Sequence, residues 1–286
     1  MSEITLRPAR PTDEAAVNAL SAQIWEGEDY VPRRFADWVA DDRGEFTVAC
    51  DGNTVVGFGK LTELAPGEWW LEGLRVHPDH RGRGIARKLH HYVVDLAATI
   101  GRGIVRFATN GHNEPVHKLA RETDFRHVAA YNVAEIDVGD GKTPGRFVLA
   151  GPADVSALEE WLQASDLFAA GGGLFEERWK WKALLPRLST LRAKNRIYWW
   201  QEDASRRAGF VVVSQGEEEI LWLNYLDADR EALPDLCRAL SALARRLNRT
   251  RIKCKPPAVP FLSEALTTAG WEIEPDFEMW VFERSL

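Results

Sequence analysis

Apolar and polar positions alternate through Ile4-Thr5-Leu6-Arg7-Pro8, the pattern of a strand with one buried face. Thr12-Asp13-Glu14 then offers capping chemistry, and Val17, Leu20 and Ile24 recur at helical spacing, so strand then helix is the opening unit. A turn-rich stretch over 27–32 leads to Phe46-Thr47-Val48-Ala49-Cys50, the turn Asp51-Gly52-Asn53 and an apolar run over 55–61, which predicts an antiparallel hairpin. Residues 69–76 read as another strand. Over 85–100, Ala86, Leu89, Val93, Leu96 and Ala97 fall on one helical face, and a glycine-rich turn joins that helix to the strand before it. A strand over 104–108, a helix over 115–122 and a returning strand over 125–136 follow.

Gly139-Asp140-Gly141-Lys142-Thr143-Pro144-Gly145 punctuates the chain, and the pattern then begins again. Phe147-Val148-Leu149 leads to Asp154 and a helix through Leu158 and Trp161, as at the start of the chain. Gly209-Phe210-Val211-Val212 echoes Val56-Gly57-Phe58-Gly59, Trp222 to Leu226 echoes Trp70 to Leu74, and Gly270-Trp271 falls where Asp124-Phe125 did. An internal duplication is expected, with domains at 1–138 and 147–286 and a linker at 139–146. The fold class is α/β with a mixed sheet in each half.

The length of 286 residues leaves room for two cores, and 45% hydrophobic with 28% charged residues is a globular balance. The net charge of −7 argues against a general polyanion surface, so no nucleic acid partner is expected. Cys50, Cys237 and Cys254 fit neither a disulfide framework nor paired metal ligands, which suits a reducing cytoplasm. Met1-Ser2-Glu3 runs straight into a strand, so no secretory signal is expected, and no apolar run approaches the roughly 20 residues of a membrane span.

The most informative segment runs from Leu74 to Leu89. Gly82 and Gly84 remove side chains where backbone N–H groups would face an anion, and the helix start beyond them adds N–H donors and the positive end of the helix dipole. Arg81, Arg83, Arg87 and Lys88 would add charge, and a pyrophosphate is the natural ligand. A dinucleotide site would need Gly-x-Gly-x-x-Gly and an acidic residue about 20 positions on, and neither stands in the right place.

Arg81-Gly82-Arg83-Gly84-Ile85-Ala86 resembles motif A of the GNAT (GCN5-related) N-acetyltransferases, in a strand–turn–helix context whose elements follow the family order over residues 4–136. The resemblance implies a tandem GNAT-like fold, with a catalytic first half and a degenerate second half, and acetyl-CoA as co-substrate without a metal. It implies that the backbone of Leu74 and Val76, with Arg75 between them, pairs with the pantetheine arm, and that Arg81, Gly82, Arg83, Gly84, Ile85 and Ala86 hold the pyrophosphate. Gly73 would mark a bulge that splays the strand. Strand alternation groups Trp70, Glu72, Leu74 and Val76 on one face, which makes Glu72 the candidate general base for a primary amine. Its counterpart in the second half is Asn224, which is no base.

The family's tyrosine, seven residues after Asn113, is replaced by Ala120. Asn113 can still contact the cofactor, and His117 or Tyr131 would replace the acid. The stretch Trp25-Glu26-Gly27-Glu28-Asp29-Tyr30-Val31-Pro32, with Trp38 six residues on, is similar to the acceptor loop of vertebrate histidine N-acetyltransferases. That implies a small-molecule amine, plausibly an amino acid, bound by Trp25, Asp29, Tyr30 and Arg33; an amphipathic helix start is the other reading of the same residues. The second half runs Asp227-Ala228-Asp229-Arg230-Glu231 where the phosphate turn would be and should not bind coenzyme A. It would wall the acceptor pocket or mediate association, for example as a homodimer, with Gly171-Gly172-Gly173, Phe175, Trp179 and Trp181 read as a lid or as core. A noncatalytic acyl-CoA-binding module and a transferase for peptide amines are the alternative functions.

Overall fold

The computed structural model describes residues 3–141, 145–203, 206–215 and 219–286, with the side chains of Trp25 and Gln215 set aside. Of the linker read at 139–146, residues 142–144 therefore lie outside the described residues. The chain forms two compact units. The first comprises Met1–Phe107, Asn113–Arg126 and Phe282–Leu286, and the second comprises Ala108–His112 and His127–Val281.

In the first unit the elements are β1 (Ile4–Pro8), α1 (Glu14–Ser21), α2 (Val31–Ala40), β2 (Glu45–Asp51), β3 (Thr54–Ala65), β4 (Glu68–Val76), α3 (Ile85–Ile100), β5 (Ile104–Asn110, in this unit through Phe107) and α4 (Glu114–Glu122). Strands β1 to β4 are antiparallel neighbours in sequence order, and β5 joins β4 in parallel. Helix α2 stands where the glycine and proline content predicts turn and loop. Pro32 sits in its first turn, where its missing N–H costs nothing, and Val31, Phe35 and Trp38 bury one face of it. That face meets Val17 and Leu20 of α1 and Phe46, Val48 and Phe58 of the sheet. On α3, Ile85 and Leu89 pack with Ala49 and Val56.

The second unit repeats the order with β6 (Arg126–Asp137, in this unit from His127), β7 (Arg146–Leu149), α5 (Val155–Ala164), α6 (Asp166–Ala170), β8 (Leu174–Glu177), β9 (Lys180–Ala183), α7 (Leu188–Ala193), β10 (Ile197–Gln201), β11 (Arg207–Gln215), β12 (Ile220–Ala228), α8 (Leu233–Arg246), β13 (Arg251–Cys254), α9 (Pro260–Thr268) and β14 (Glu272–Ser285, in this unit through Val281). Its strand order is β14-β6-β13-β12-β11-β10-β7. The parallel ladders of the two units register alike. Their first pairs, Glu68–Ile104 and Ile220–Arg251, set Trp70 with Trp222 and Glu72 with Asn224. Helices α4 and α9 also end alike. Asp124 and Gly270 take positive φ of 59° and 86°, and the next residues, buried Phe125 and Trp271, donate N–H groups five residues back to Ala120 and Leu266. Of the second half's Gly-rich stretch and aromatics, Phe175 and Trp181 are buried in this unit, and Trp179 is exposed at the tip of the β8–β9 hairpin.

Candidate active site

Between β4 and α3 the chain makes a short 3-10 turn at Pro78–His80 and then alternates the sign of φ. Gly82 (φ 74°) and Gly84 (φ 76°) are left-handed, with Arg83 between them at negative φ, a geometry that turns consecutive N–H groups toward one side. A Cβ at either glycine would meet no protein atom within 4 Å, so packing does not demand glycine here; the conformation and the open approach do. The first α3 bond runs from Lys88 N–H to the Gly84 carbonyl at 3.0 Å, which leaves the N–H groups of Ile85, Ala86 and Arg87 ahead of the ladder. These features fit a pyrophosphate. Among the arginines, Arg81 is exposed, whereas Arg83 pairs with Asp51 at 2.8 Å and Arg87 with Glu122 at 2.8 Å. Arg83 thus pins the turn to the β2–β3 hairpin.

The β3–β4 register slips between Phe58 and Lys60, opposite Gly73 (φ 69°), whose absent Cβ would lie 2.7 Å from the Trp38 ring. This is the bulge that bends β4. The parallel pairing of β4 with β5 runs over Glu68–Trp70 only, so Glu72, Leu74 and Val76 lie past its end. Glu72 is half-buried and accepts a hydrogen bond from Thr62 Oγ1 at 2.7 Å. Directly across the ladder from Glu72 stands Lys60, 1% exposed, whose ammonium is bonded to Asp41 and to the Leu61 carbonyl.

Asp29 and Arg75 meet each other. The Arg75 guanidinium donates to both Asp29 oxygens at 3.2 Å, the Asp29 side chain is fully buried, and Arg75 also lies 5.8 Å from the Tyr30 ring centre. The pair ties the segment before α2 to β4. Burial first, and then the Glu72 carboxylate, push the Tyr30 phenol well above its ordinary pKa, so it stays protonated and can serve as a hydrogen-bond donor. Arg33 is exposed on α2, and the Trp25 side chain lies outside the described residues.

Asn113 occupies the N-cap position of α4, its carbonyl accepting from the His117 N–H at 3.0 Å. His117 is buried, 5.4 Å from the Phe282 ring. Tyr131 belongs to the second unit, where its hydroxyl donates to the Gly171 carbonyl at 2.6 Å and its ring packs on Trp181. Ala120 is fully buried. Sequence reasoning missed Thr62 on Glu72 and the Lys60–Asp41 pair across the ladder, although a lysine inside the apolar run 55–61 was a visible signal. In the second unit, Asn224 accepts from the Arg196 guanidinium at 2.8 Å and donates to the Glu176 carbonyl. Past β12, the turn offers Asp229 and a 3-10 turn at Arg230–Ala232 in place of glycines.

The acetyltransferase (GNAT) family profile matches residues 14–125. A histidine N-acetyltransferase from Oreochromis niloticus is 33% identical over 89 residues, 31% of this chain and 26% of its own length. The N-alpha-acetyltransferase RimI of Mycobacterium tuberculosis is 27% identical over 44% of this chain and 80% of its own length. The chain thus spans about a quarter of the fish enzyme and most of RimI. Among solved structures, a GCN5-related N-acetyltransferase from Sphaerobacter thermophilus aligns over 99% of this chain and 95% of its own, with a TM-score of 0.66 at 14% identity. A tandem GNAT protein of the clavulanic acid biosynthesis pathway aligns over 99% and 98%, with a TM-score of 0.53 at 16% identity. Residues 14–125 thus match the GNAT acetyltransferase family, and the whole chain has a tandem GNAT-like fold.

Proposed function

We propose that this chain is an acetyl-CoA-dependent N-acetyltransferase that acts on the primary amine of a small molecule, an amino acid being the first candidate. The observation that carries the reading is the conjunction of the left-handed glycine turn at the start of α3 with a carboxylate, Glu72, on the bent strand that leads into it. The N–H groups of Gly82 to Ala86 would hold the pyrophosphate, and the backbone of Leu74 and Val76 the pantetheine arm. Bound there, acetyl-CoA supplies the activated acyl group. Glu72 attracts the acceptor's ammonium and takes its proton, directly or through one water, so that the amine becomes a nucleophile. Thr62 fixes the carboxylate, and the protonated Tyr30 phenol donates to the acceptor.

The likeness to a histidine N-acetyltransferase supports an amino-acid acceptor, and the likeness to RimI supports a peptide amine as second reading. In the described residues no helix is long and apolar enough to cross a membrane, and all three cysteines are free and buried, which suits a cytoplasmic site of action. Thiol release from acetyl-CoA, measured with amino acids including histidine, polyamines, aminoglycosides and a short peptide, tests the reading. Turnover on one amine, lost in Glu72→Gln and Gly84→Glu, is expected. Donor binding without turnover on any amine would convert the assignment to a binding module.

A further inference from the structure

The turn between β4 and α3 has little of its own to keep it in shape. Gly82 and Gly84 carry no side chains, and glycine gives up more backbone freedom on ordering than any other residue. Both sit at left-handed φ, and a Cβ on either would meet nothing within 4 Å, so no neighbour packs on them from that side. Between Arg81 and Ile85, the one side chain able to anchor the backbone is that of Arg83. Its Nη1 lies 2.8 Å from Asp51 Oδ2, at the end of β2, and 2.8 Å from His80 Nδ1. A guanidinium only donates, so the carboxylate and the ring nitrogen both accept from it. The Asp51 side chain is 15% exposed and that of Arg83 28%, which shelters the pair in part from solvent.

From this geometry we infer that Asp51 is a positioning residue for acetyl-CoA: through Arg83 it holds the turn in its binding shape before the donor arrives, and Arg83 serves the donor by this anchorage rather than by its charge. The inference rests on the reading of the turn as the pyrophosphate site.

The sign of the effect separates anchorage from plain electrostatics. A carboxylate beside a pyrophosphate repels it, so by charge alone the neutralisation of Asp51 would tighten binding. Anchorage acts the other way. Apparent affinity scales with the fraction of molecules whose turn is already in shape, so a turn cut loose from β2 binds more weakly even though an anion has been removed from its side. Removing Asp51 and Arg83 together takes away one charge of each sign, leaves the net charge where it was, and isolates the loss of shape.

Calorimetric titration of the full chain with acetyl-CoA, together with 15N relaxation of the unliganded protein, tests this. Asp51→Asn, Arg83→Gln and the double variant are each expected to bind about five- to tenfold more weakly, the double within about twofold of either single variant. In all three, the order parameters of the amides of residues 82–84 fall from about 0.85 to below about 0.6 before any ligand is added, while those of β2 and β3 hold, which shows that the fold is intact. Asp51→Asn binding as tightly as wild type or more tightly, losses that multiply in the double variant, or unchanged order parameters over 82–84 overturn the inference. A wild-type chain that binds no acetyl-CoA removes the turn as a donor site and the inference with it; wild-type binding with any of those three results removes the inference alone.

Discussion

At the scale of single residues, burial and charge act on His90 most visibly. Its Nε2 lies 2.8 Å from Thr123 Oγ1, which itself donates to the Leu119 carbonyl, so the ring supplies the proton of that bond. Burial, reinforced by His91 and opposed by Glu122, lowers its pKa to about 4. The unfolded chain, with an ordinary histidine, binds the proton first, so the first unit loses stability as pH falls from about 6.5 to about 4, by about 3 kcal/mol in all. Denaturant midpoints of wild type and His90→Gln at pH 7.5 and 4.5 check this: the variant loses less on acidification, and parallel losses would refute it. Residues of this kind divide by how they are legible. The bulge at Gly73 could be read because glycine is a local signal, and strand alternation alone put Glu72 on the face of Trp70 and Leu74. The pairing of Arg83 with Asp51, or of Arg75 with Asp29 forty-six positions earlier, depends on register and loop path, which no periodicity carries. Tyr131 read as the end of the first half, yet its hydroxyl is taken by Gly171 in the second unit, because chain order does not fix unit membership.

At the scale of elements, β4 owes its bend to one residue. An alanine at position 73 would have to hold φ near 69°, a cost of about 1–2 kcal/mol, and would place its Cβ 2.7 Å from the Trp38 ring. Gly73→Ala should therefore lower the stability of the first unit by about 2 kcal/mol or more, and acetyl-CoA affinity with it. Adding Trp38→Phe removes the ring atoms in conflict and returns part of both, as urea unfolding and calorimetric titration would register; a neutral Gly73→Ala would show that the bulge is not set there. The helix after this strand was legible from its apolar face and its glycines. Helix α2 was legible only as one of two readings: Gly27 and Pro32 read as turn, an amphipathic helix start was the other reading of the stretch, and the burial of Val31, Phe35 and Trp38 decides for helix from Val31 on. The duplication was legible because both halves keep the same punctuation, down to the left-handed residue that ends α4 and α9.

At the scale of the whole molecule, one phosphate turn implies one donor site. Calorimetric titration should give one acetyl-CoA per chain, with none in Gly84→Glu; two would mean that the acidic turn after β12 also binds. A harder question is whether the half that carries this turn folds when cut at 138. Its unit takes in Phe282–Leu286, and the strand over 126–137 is counted with the other unit from His127 on. Phe282 stacks on Phe107 with centroids 5.2 Å apart, and Glu283 pairs with Arg106 and Arg126 at 2.7 and 2.8 Å. Arg106 is 5% exposed, so losing Glu283 leaves a buried guanidinium with Glu68 as its one remaining carboxylate and its Nε–H without the Glu283 acceptor. Because Glu68 still compensates the charge, the loss is that of a charge-assisted hydrogen bond, about 1.5–3 kcal/mol, before the lost Phe282 contacts are counted. Deleting residues 282–286 should then abolish or sharply weaken acetyl-CoA binding and lower the melting temperature, although every motif residue from Leu74 to Ala86 remains. Glu283→Gln, which keeps the shape and removes the charge, should fall between the deletion and wild type. A 1–138 fragment that folds and binds acetyl-CoA as tightly as the full chain would show instead that the five residues only decorate a core complete without them.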